Sequence, residues 1–376
     1  MVIAIDYTPA YEQGAGIGRL VRNQIQALAN YDQSGEYRLF VAGAADTDLP
    51  DSPGKNFSWV TTPVKAVWLA RIWRTALPLP INWLTGNVDL YHATNFVLPP
   101  LSHNIKSIVT VHDLSFVKTP EAAPPRLRTY LKKVVPESIN RASHIIADST
   151  ATKHDIVKLY RTPAEKISVV LSAVESRFVP VSGSLMTTRN KYHLPESPFL
   201  FSIGTVQPRK NYSRIIQALA VLRGQGYDIS LVIAGGKGWL EDDMYKVIAK
   251  TNMQDYVHLI GYADDKDLPA LYSMAECVVF PSLYEGFGFP VLEGMACGTP
   301  VITSNISSLP EVAGDAALLV NPLDTDELTD AIRRLLDDTG LRETLIQRGL
   351  QQVKTFNPEN TAKQLLHVYT KTLRES

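Results

Sequence analysis

Short apolar runs rich in β-branched residues alternate with longer amphipathic stretches over almost the whole chain. The apolar runs predict strands at residues 2–7, 37–42, 89–93, 107–112, 144–148, 199–204, 229–235, 257–261, 277–281 and 299–304. Apolar residues recur at helical spacing between many of them, most clearly over residues 18–30, 211–223 and 265–275. Strands and helices that alternate at these lengths favour βαβ units and parallel sheets.

The length of 376 residues suits two domains of ordinary size. Apolar periodicity lapses between residues 175 and 198, which predicts a first domain at 1–180 and a second at 190–356. The tail, residues 357–376, is predicted to form one more helix, with Asn357 as its cap and Pro358 at its first position. Two doubly wound domains that face each other would leave a cleft at the carboxyl ends of their strands, where small ligands bind.

The charge balance is even, with 37 Lys and Arg against 38 Asp and Glu. A chain without a global basic field is not expected to bind nucleic acid. No stretch approaches the roughly 18 apolar residues that a membrane span needs, and the apolar start is too short for a signal peptide. The two cysteines, Cys277 and Cys297, are expected to be buried thiols. We therefore expect a cytoplasmic location.

The strongest motif is YEGFGFPVLEGMACGTP at residues 284–300, where a glycine-rich loop follows a predicted strand and leads into a helix. Glu285 precedes this helix and Glu293 lies in its first turns. Backbone N–H groups around Gly286 and Gly288 can approach an oxygen-rich ligand closely, and the two carboxylates can accept hydrogen bonds from sugar hydroxyls. The alternative is an ordinary glycine turn beside a capping or solvated glutamate.

A second motif, FSIGTVQPRKN at residues 201–211, runs from a strand through a loop into a helix. Arg209 and Lys210 would stand beside the helix N-terminus, where positive side chains and backbone N–H donors suit a diphosphate. Taken alone, the two residues would be interpreted as a pair of surface charges.

Three weaker signals remain. His112 ends a predicted strand, in VHDL, and is either a ligand contact or a structural hydrogen-bonding residue. The string QGAGIG at residues 13–18 only loosely matches a dinucleotide-binding loop. The Asp-x-Asp strings at residues 46–48 and 324–326 are interpreted as turn or helix caps, and no metal site is predicted.

The pair Glu285 and Glu293, with seven residues between them in EGFGFPVLEGMACGTPVI, resembles the signature of glycosyltransferase family 4. IGTVQPRKN, VHDLSF, GAGIGR and GYADDKDLPALY are similar to other motifs of that family. The resemblance covers nearly the whole chain. It implies an α/β fold of two facing Rossmann-like domains (GT-B), with a C-terminal helix that crosses back to the N-terminal domain, and it implies retention of the anomeric configuration.

The resemblance also implies roles for individual residues. Glu293 would hold the donor ribose, Glu285 would hold hydroxyls of the donor sugar, and His112 would contact the transferred sugar. Arg209 and Lys210 would neutralise the diphosphate that leaves.

Further donor contacts are implied around these groups. Gly16 would bring a backbone N–H to the phosphates, the loop Gly286, Phe287 and Gly288 would contact the donor, and the segment ending at Tyr262 would meet the base. Many family members have Arg where this chain has Thr205, whereas the string PRKN resembles a subgroup that includes many mannosyltransferases.

The activity expected is transfer of a hexose, with mannose favoured, to a glycan or lipid-linked acceptor. The donor would be GDP-mannose, or alternatively a UDP-sugar, and neither a cofactor nor a metal would be needed. No third carboxylate in a motif offers itself as a nucleophile, which favours a front-face route in which the departing phosphate takes the acceptor proton. A glycoside hydrolase, a sugar-nucleotide epimerase and a non-catalytic nucleotide-sugar sensor are the alternatives.

Three of the five tryptophans, Trp68, Trp73 and Trp83, lie close together beside Arg71 and Arg74. Apolar residues recur at helical spacing over 64–77, which predicts either a helix packed on the sheet or a surface that meets a membrane or a lipid-linked acceptor. The second alternative adds peripheral contact with the inner face of a membrane to the expected location.

Overall fold

The computed structural model describes residues 1–14, 16–45, 49–75, 78–183, 185–238 and 242–374. The chain forms two compact units. The first comprises Met1–Leu114, Arg126–Ala173 and Phe356–Ser376, and the second comprises Ser115–Pro125 and Val174–Thr355.

Strands and helices alternate along both units. The strands are β1 (Val2–Asp6), β2 (Glu36–Ala42), β3 (Phe57–Thr62), β4 (Leu90–Ala93), β5 (Lys106–Val111), β6 (His144–Ala147), β7 (Ile167–Val169), β8 (Phe199–Ile203), β9 (Ser230–Ala234), β10 (Val257–Gly261), β11 (Cys277–Phe280), β12 (Val301–Ser304) and β13 (Leu318–Val320). The helices are α1 (Thr8–Glu12), α2 (Ile17–Tyr31), α3 (Ala66–Ile72), α4 (Asn82–Thr85), α5 (Ser115–Lys118), α6 (Pro125–Arg141), α7 (Thr150–Tyr160), α8 (Met186–Lys191), α9 (Tyr212–Gly224), α10 (Asp242–Thr251), α11 (Leu268–Met274), α12 (Phe289–Ala296), α13 (Leu309–Ala313), α14 (Thr325–Asp337), α15 (Thr339–Val353) and α16 (Pro358–Arg374). Short 3₁₀ turns lie at Pro120–Ala122, Ala164–Lys166 and Pro208–Lys210.

The first unit is built on a parallel sheet with strand order β3-β2-β1-β4-β5-β6-β7. The interior strand β1 is apolar on both faces: Ile3 and Ala4, which point to opposite faces, are fully buried, as expected for a parallel sheet covered by helices. The C-terminal helix α16 packs against α2 of this unit. Its Tyr369 hydroxyl lies 2.9 Å from Nδ1 of His92, at the centre of the sheet.

The second unit contains a parallel sheet with strand order β10-β9-β8-β11-β12-β13. Its core lies between the sheet and helices such as α9 and α14. Helix α12 lies so close to β11 that a Cβ added at Gly294 would stand 2.8 Å from Cγ2 of Val278. A side chain at position 294 would therefore push the helix, and the loop before it, away from the sheet.

The α/β architecture expected from the sequence is confirmed. All ten predicted strands are present within two residues of the expected bounds. The three predicted helices are also present, although the third begins at Leu268, three residues after its expected start. The tail helix is also present, and the Asn357 side chain accepts a hydrogen bond from the Asn360 N–H at 2.9 Å, as a cap does. Cys277 and Cys297 are buried free thiols, as expected. Within the described ranges, no helix combines the length and the apolar character needed to cross a bilayer.

The division into units differs from the predicted boundaries in two places. Residues 115–125, expected in the first domain, belong to the second unit, where the turn Pro120–Ala122 contacts the turn Pro208–Lys210. Residues 174–180 also belong to the second unit, and the chain stays attached to it beyond them because the Val181 N–H donates to the Ser273 hydroxyl at 3.0 Å. Proline and serine in this stretch suggested a linker, but the Val181 N–H is bonded to α11 of the second unit.

Candidate active site

Three residues predicted to bind the donor meet at one point in the second unit. Glu285 Oε2 lies 2.5 Å from Nη1 of Arg209, and Glu285 Oε1 lies 2.7 Å from Nζ of Lys210. The three side chains are only 11–12% exposed. The structure thus joins the two strongest motifs of the sequence into one ion cluster, which we call the Arg209–Lys210–Glu285 cluster.

The two cations lie on the turn Pro208–Lys210, between β8 and α9. The Lys210 ammonium lies 4.7 Å from the centre of the Phe280 ring, at the end of β11. Asn211 follows with a positive φ of 61°, and its amide donates to the carbonyls of Pro281 and Pro322. This conformation is one that Asn tolerates better than most residues. Asn211 therefore ties the turn to the loops after β11 and β13.

The cluster contains two positive charges and one negative charge. Burial alone would raise the pKa of the Glu285 carboxyl, but the charges of Arg209 and Lys210 outweigh burial and lower the pKa to about 2. Glu285 is therefore ionised at neutral pH, and the cluster carries one net positive charge. An anionic ligand that approaches the two cations would compete with Glu285 for them.

The glycine-rich loop before α12 is anchored by its backbone. The Glu285 N–H donates to the Ser307 hydroxyl at 3.1 Å, and the Ser308 hydroxyl lies 2.9 Å from the Glu285 carbonyl and 2.5 Å from the Phe287 carbonyl. Gly288 then precedes α12 with a φ of 134°. The loop from Gly286 to Gly288 is thus fixed at the predicted place, between the strand and the helix.

The loop after β9 adds to the same edge of the sheet. A Cβ added at Gly235 would stand 2.0 Å from the Gly204 carbonyl oxygen, so this position accepts only glycine. The Tyr212 hydroxyl donates to the same Gly204 carbonyl at 2.8 Å. Backbone from the ends of β8 and β9 therefore comes together. It lies beside the cluster, because a Cβ added at Gly204 would stand 2.9 Å from Cε of Lys210.

Glu293 lies in α12 and is deeper than Glu285. It is 2% exposed, and its Oε2 accepts a hydrogen bond of 2.6 Å from the Tyr272 hydroxyl. The predicted ribose contact stays a prediction.

Two other donor-contact predictions fall on exposed residues. Tyr262 is 60% exposed and follows Gly261, which has a φ of 70°. Gly16, in the first unit, is exposed and caps α2 with a φ of 56°. Its neighbour Ala15 lies outside the described residues. The contacts of Tyr262 and Gly16 with the donor stay predictions.

His112 lies in the first unit at the end of β5 and is 5% exposed. Its Nδ1 lies 2.8 Å from Asp148 Oδ2, and its Nε2 lies 2.8 Å from the Thr94 carbonyl oxygen. Burial alone would lower the pKa of His112, but the attraction and hydrogen bond of Asp148 raise it overall. Both ring nitrogens are occupied, so a hydrogen bond from the ring to a sugar would require one of these contacts to break. The sugar contact of His112 stays a prediction.

The structure describes one of the two Asp-x-Asp strings that were interpreted as caps. Asp324 caps α14 by accepting hydrogen bonds from the N–H groups of Asp326 and Glu327, so its interpretation as a cap is confirmed. Asp46, Thr47 and Asp48 lie outside the described residues. Among the described residues no group of three or more His, Cys, Asp or Glu side chains is placed to hold a metal ion.

The tryptophan-rich segment differs from its simplest interpretation. Helix α3 spans only Ala66–Ile72, and Leu69 is its one buried residue. Trp68 is 54% exposed and Ile72 is 38% exposed, so the predicted apolar row faces outward instead of packing on the sheet. The end of the predicted helix, residues 76 and 77, lies outside the described residues.

Sequence reasoning missed the partners that hold the site together. Asp148, Tyr272 and Ser308 position His112, Glu293 and the glycine loop, respectively. Each is separated from its partner by more than 20 residues and lies on another element. Asp148 carried one available signal, because it ends a predicted strand just as His112 does.

Known proteins provide an independent comparison. Residues 14–177 match the family model described as Glycosyltransferase Family 4, and residues 187–352 match the model described as Glycosyl transferases group 1. O-antigen chain mannosyltransferase B of Escherichia coli is 32% identical over 366 residues, which cover 94% of this chain and 95% of that protein.

Solved structures match the whole chain at low identity. Sucrose-phosphate synthase from Thermosynechococcus elongatus has a TM-score of 0.76 at 22% identity, and the match covers 100% of both chains. Anabaena HepE in complex with UDP-glucose has a TM-score of 0.73 at 18% identity, with coverage of 99% of this chain and 100% of that one. At these identities the two structures establish the fold alone, which is GT-B.

Proposed function

The chain belongs to glycosyltransferase family 4, and we propose that it transfers mannose from GDP-mannose, with retention, to a glycan or lipid-linked acceptor. Hexosyl transfer in glycan synthesis is the activity; the choice of mannose and of GDP is our proposal. The relative from Escherichia coli that matches over 95% of its length is a mannosyltransferase. The PRKN string of the cluster supports the same choice.

The Arg209–Lys210–Glu285 cluster carries this proposal. As the bond between the sugar C1 and the diphosphate oxygen breaks, negative charge grows on the diphosphate and positive charge grows on the sugar ring. Two buried cations stabilise that leaving group more strongly in the transition state than in the ground state. The diphosphate would take Arg209 and Lys210, and Glu285 would turn to hydroxyls of the sugar.

The proposed transfer needs no enzyme nucleophile. The acceptor hydroxyl oxygen bonds to C1 on the face that the diphosphate leaves, and its proton passes to the departing phosphate oxygen. GDP and the mannosylated acceptor are the products. Glu293 and Tyr262 would contact the nucleoside, and the loop with Gly286, Phe287 and Gly288 would surround the donor. Gly16 and His112 would contribute from the first unit.

The donor can be tested by release of nucleoside diphosphate. Purified protein is incubated with GDP-mannose, GDP-glucose, UDP-glucose or UDP-galactose and with an α-mannobiose acceptor that carries a lipid tail. We expect a mannosylated product only with GDP-mannose, and an α linkage by NMR. If only a UDP-sugar gave a product, that UDP-sugar and not GDP-mannose would be the donor. A β-linked product would contradict retention.

We also propose that the surface of the first unit around Val67, Trp68, Arg71 and Leu127 contacts an anionic membrane. Val67 is 56% exposed, Trp68 54% and Leu127, on α6, 47%. The Arg71 guanidinium lies 4.4 Å from the Trp68 ring centre. Residues 52–88 contain four Lys and Arg but no Asp or Glu, and the same is true of residues 122–136. Exposed aromatic and basic residues from stretches that contain no Asp or Glu suit the surface of an anionic bilayer.

Flotation with vesicles tests this contact. The wild-type protein is expected to float with vesicles that contain phosphatidylglycerol and to remain behind with pure phosphatidylcholine vesicles. The double variant Trp68→Ser with Ile72→Ser should lose flotation. Tyr245→Ser, which removes a 45% exposed aromatic from the second unit, is the matched control. Equal flotation of the double variant and the control would contradict the contact.

A further inference from the structure

Two loops run side by side where the neighbouring strands β11 and β12 of the second sheet end. The first is the glycine-rich loop at residues 285–288. The second, residues 305–308, connects β12 to α13. Ser307 and Ser308 in the second loop contact the first loop through their hydroxyl groups. Neither serine is among the residues predicted to bind the donor.

Ser308 sets the direction of two peptide groups in the glycine-rich loop. Its side chain is fully buried, and its hydroxyl is shared between the carbonyl oxygens of Glu285, at 2.9 Å, and Phe287, at 2.5 Å. None of the described peptide bonds is cis, and in a trans peptide the N–H points opposite to the carbonyl of the preceding residue. The N–H groups of Gly286 and Gly288 therefore both point away from Ser308.

Ser307 holds the start of the same loop from a strained backbone. Its φ is 57°, in the left-handed region that a residue with a Cβ adopts only at a cost in free energy. Its hydroxyl oxygen accepts a hydrogen bond of 3.1 Å from the Glu285 N–H. Both backbone polar groups of Glu285 are thus bonded to the serine pair. Strain of this kind clusters at functional sites, where the surrounding structure holds the residue in place.

Apolar packing fixes the far end of the glycine-rich loop. A Cβ added at Gly288 would stand 2.9 Å from Cδ2 of Leu309, the fully buried first residue of α13. The loop is therefore held at both ends by residues 307–309. The Glu285 carboxylate, which pairs with Arg209 and Lys210, is carried by this loop.

We propose that Ser307 and Ser308 are positioning residues for the sugar that is transferred. They hold the loop so that the Glu285 carboxylate accepts hydrogen bonds from hydroxyls of the donor sugar and the N–H groups of Gly286 and Gly288 donate to its oxygens. The inference rests on the proposed transfer from a nucleotide donor. Because the two cations of the cluster would bind the diphosphate, the serine pair should affect sugar transfer far more than nucleotide binding.

Steady-state kinetics and calorimetry with GDP test the role of Ser308. Ser308→Ala should lower kcat for mannose transfer roughly tenfold or more, because it removes the donor that two buried carbonyl groups share. The Kd for GDP should stay within about threefold of the wild-type value. Ser230→Ala is the matched control, because Ser230 is a buried serine at the start of β9 whose hydroxyl lies 3.1 Å from that of Ser197. The control should keep both kcat and Kd.

Two variants of Ser307 separate its hydroxyl from its backbone strain. Ser307→Ala and Ser307→Gly both remove the acceptor of the Glu285 N–H, but only glycine adopts a φ of 57° without strain. Ser307→Gly should therefore have the higher Tm, whereas both variants should lose kcat to a similar extent, roughly fivefold or more. A merely structural role would make transfer follow Tm, and Ser307→Gly would then be nearly as active as the wild type.

Three results would overturn the inference: wild-type kcat in Ser308→Ala, wild-type kcat in Ser307→Gly, or a loss of GDP affinity in Ser308→Ala as large as its loss of kcat. If Ser308→Ala does not fold, the two Ser307 variants decide. A wild-type protein that transfers a sugar only from another nucleotide would instead overturn the proposed donor. The same ratios measured with that nucleotide sugar would then decide the inference.

Discussion

Two carboxylates, the buried Glu285 in the second unit and the partly buried Asp6 in the first, have pKa values that are shifted in opposite directions. Two cations lower the pKa of Glu285 to about 2, whereas burial without a cation raises that of Asp6 to about 6. Burial acts on both in the same sense, so the counter-charge decides the outcome. The cluster around Glu285 is complete without ligand and would take an anion by exchange. Asp6 has no such counter-charge among the described residues, so burial decides the direction of its pKa shift.

The largest effect is expected from breaking the cluster at its cations. Lys210→Ala should lower kcat by roughly 10²-fold or more, and Arg209→Ala should act similarly, because each removes charge stabilisation of the leaving diphosphate. Steady-state kinetics with GDP-mannose measure this. Lys246→Ala, on an exposed lysine of the same unit, serves as the control. Variants with a raised KM and a near-normal kcat would mean that the cations bind the ground state only.

The pH dependence of stability sharpens the comparison further. The folded-state pKa of Glu285 is lowered. Its contribution to the free energy of unfolding is therefore present above about pH 4.5 and is lost as pH falls towards 2. Glu285→Gln should therefore cost about 3 kcal/mol at most near neutral pH and progressively less below pH 4.5.

Asp6 should show the reverse. Its folded-state pKa is raised from 3.8 to about 6, so the protein is relatively stabilised below pH 3.8 and loses that advantage as pH rises through 6. Asp6→Asn should gain about 1–3 kcal/mol at pH 7.5 and nothing at pH 3.5. Denaturant unfolding of both variants at pH 3.5, 5 and 7.5 provides the measurement. Parallel pH trends for the two variants would refute the contrast.

The two glutamates of the glycine-rich motif should differ in their effects on the free nucleotide. Loss of Glu293 removes a predicted ribose contact, so Glu293→Ala should raise the Kd for GDP roughly tenfold. Loss of Glu285 leaves Arg209 and Lys210 without their competing carboxylate. Glu285→Ala should therefore keep or strengthen GDP binding while it reduces transfer. Calorimetry with GDP separates the two, and equal losses would contradict both assignments.

Most of the fold could be predicted because interior strands of a parallel sheet are continuous apolar runs. The three strands that were not predicted are β3, β7 and β13, and each lies at the edge of its sheet. Edge strands are partly solvated, and β7 and β13 have only three residues each, so neither gives a clear apolar run. Periodicity along the chain cannot detect strands of this kind.

The site could be predicted where its residues share a short motif, and not where folding brings them together. Arg209 and Lys210 are neighbours in sequence, and their motif predicted the anion-binding role that we propose. Their pairing with Glu285 joins residues 75 positions apart, and only the fold sets it. Asp6 could not be recognised from the sequence at all, since the lack of a cation around a carboxylate is a property of three-dimensional packing.

The smallest effect is expected from removing divalent metal. Arg209 and Lys210 supply positive charge where the diphosphate would leave, so transfer from GDP-mannose should be unchanged after dialysis against EDTA. The same assay on Lys210→Ala makes the test sharper. If the lysine does the work that a metal does in other enzymes, added Mg²⁺ or Mn²⁺ should restore part of the activity of the variant but not change that of the wild type. Loss of wild-type activity in EDTA, with recovery on adding Mg²⁺ or Mn²⁺, would show that the two cations are insufficient and that the cluster works with a metal ion.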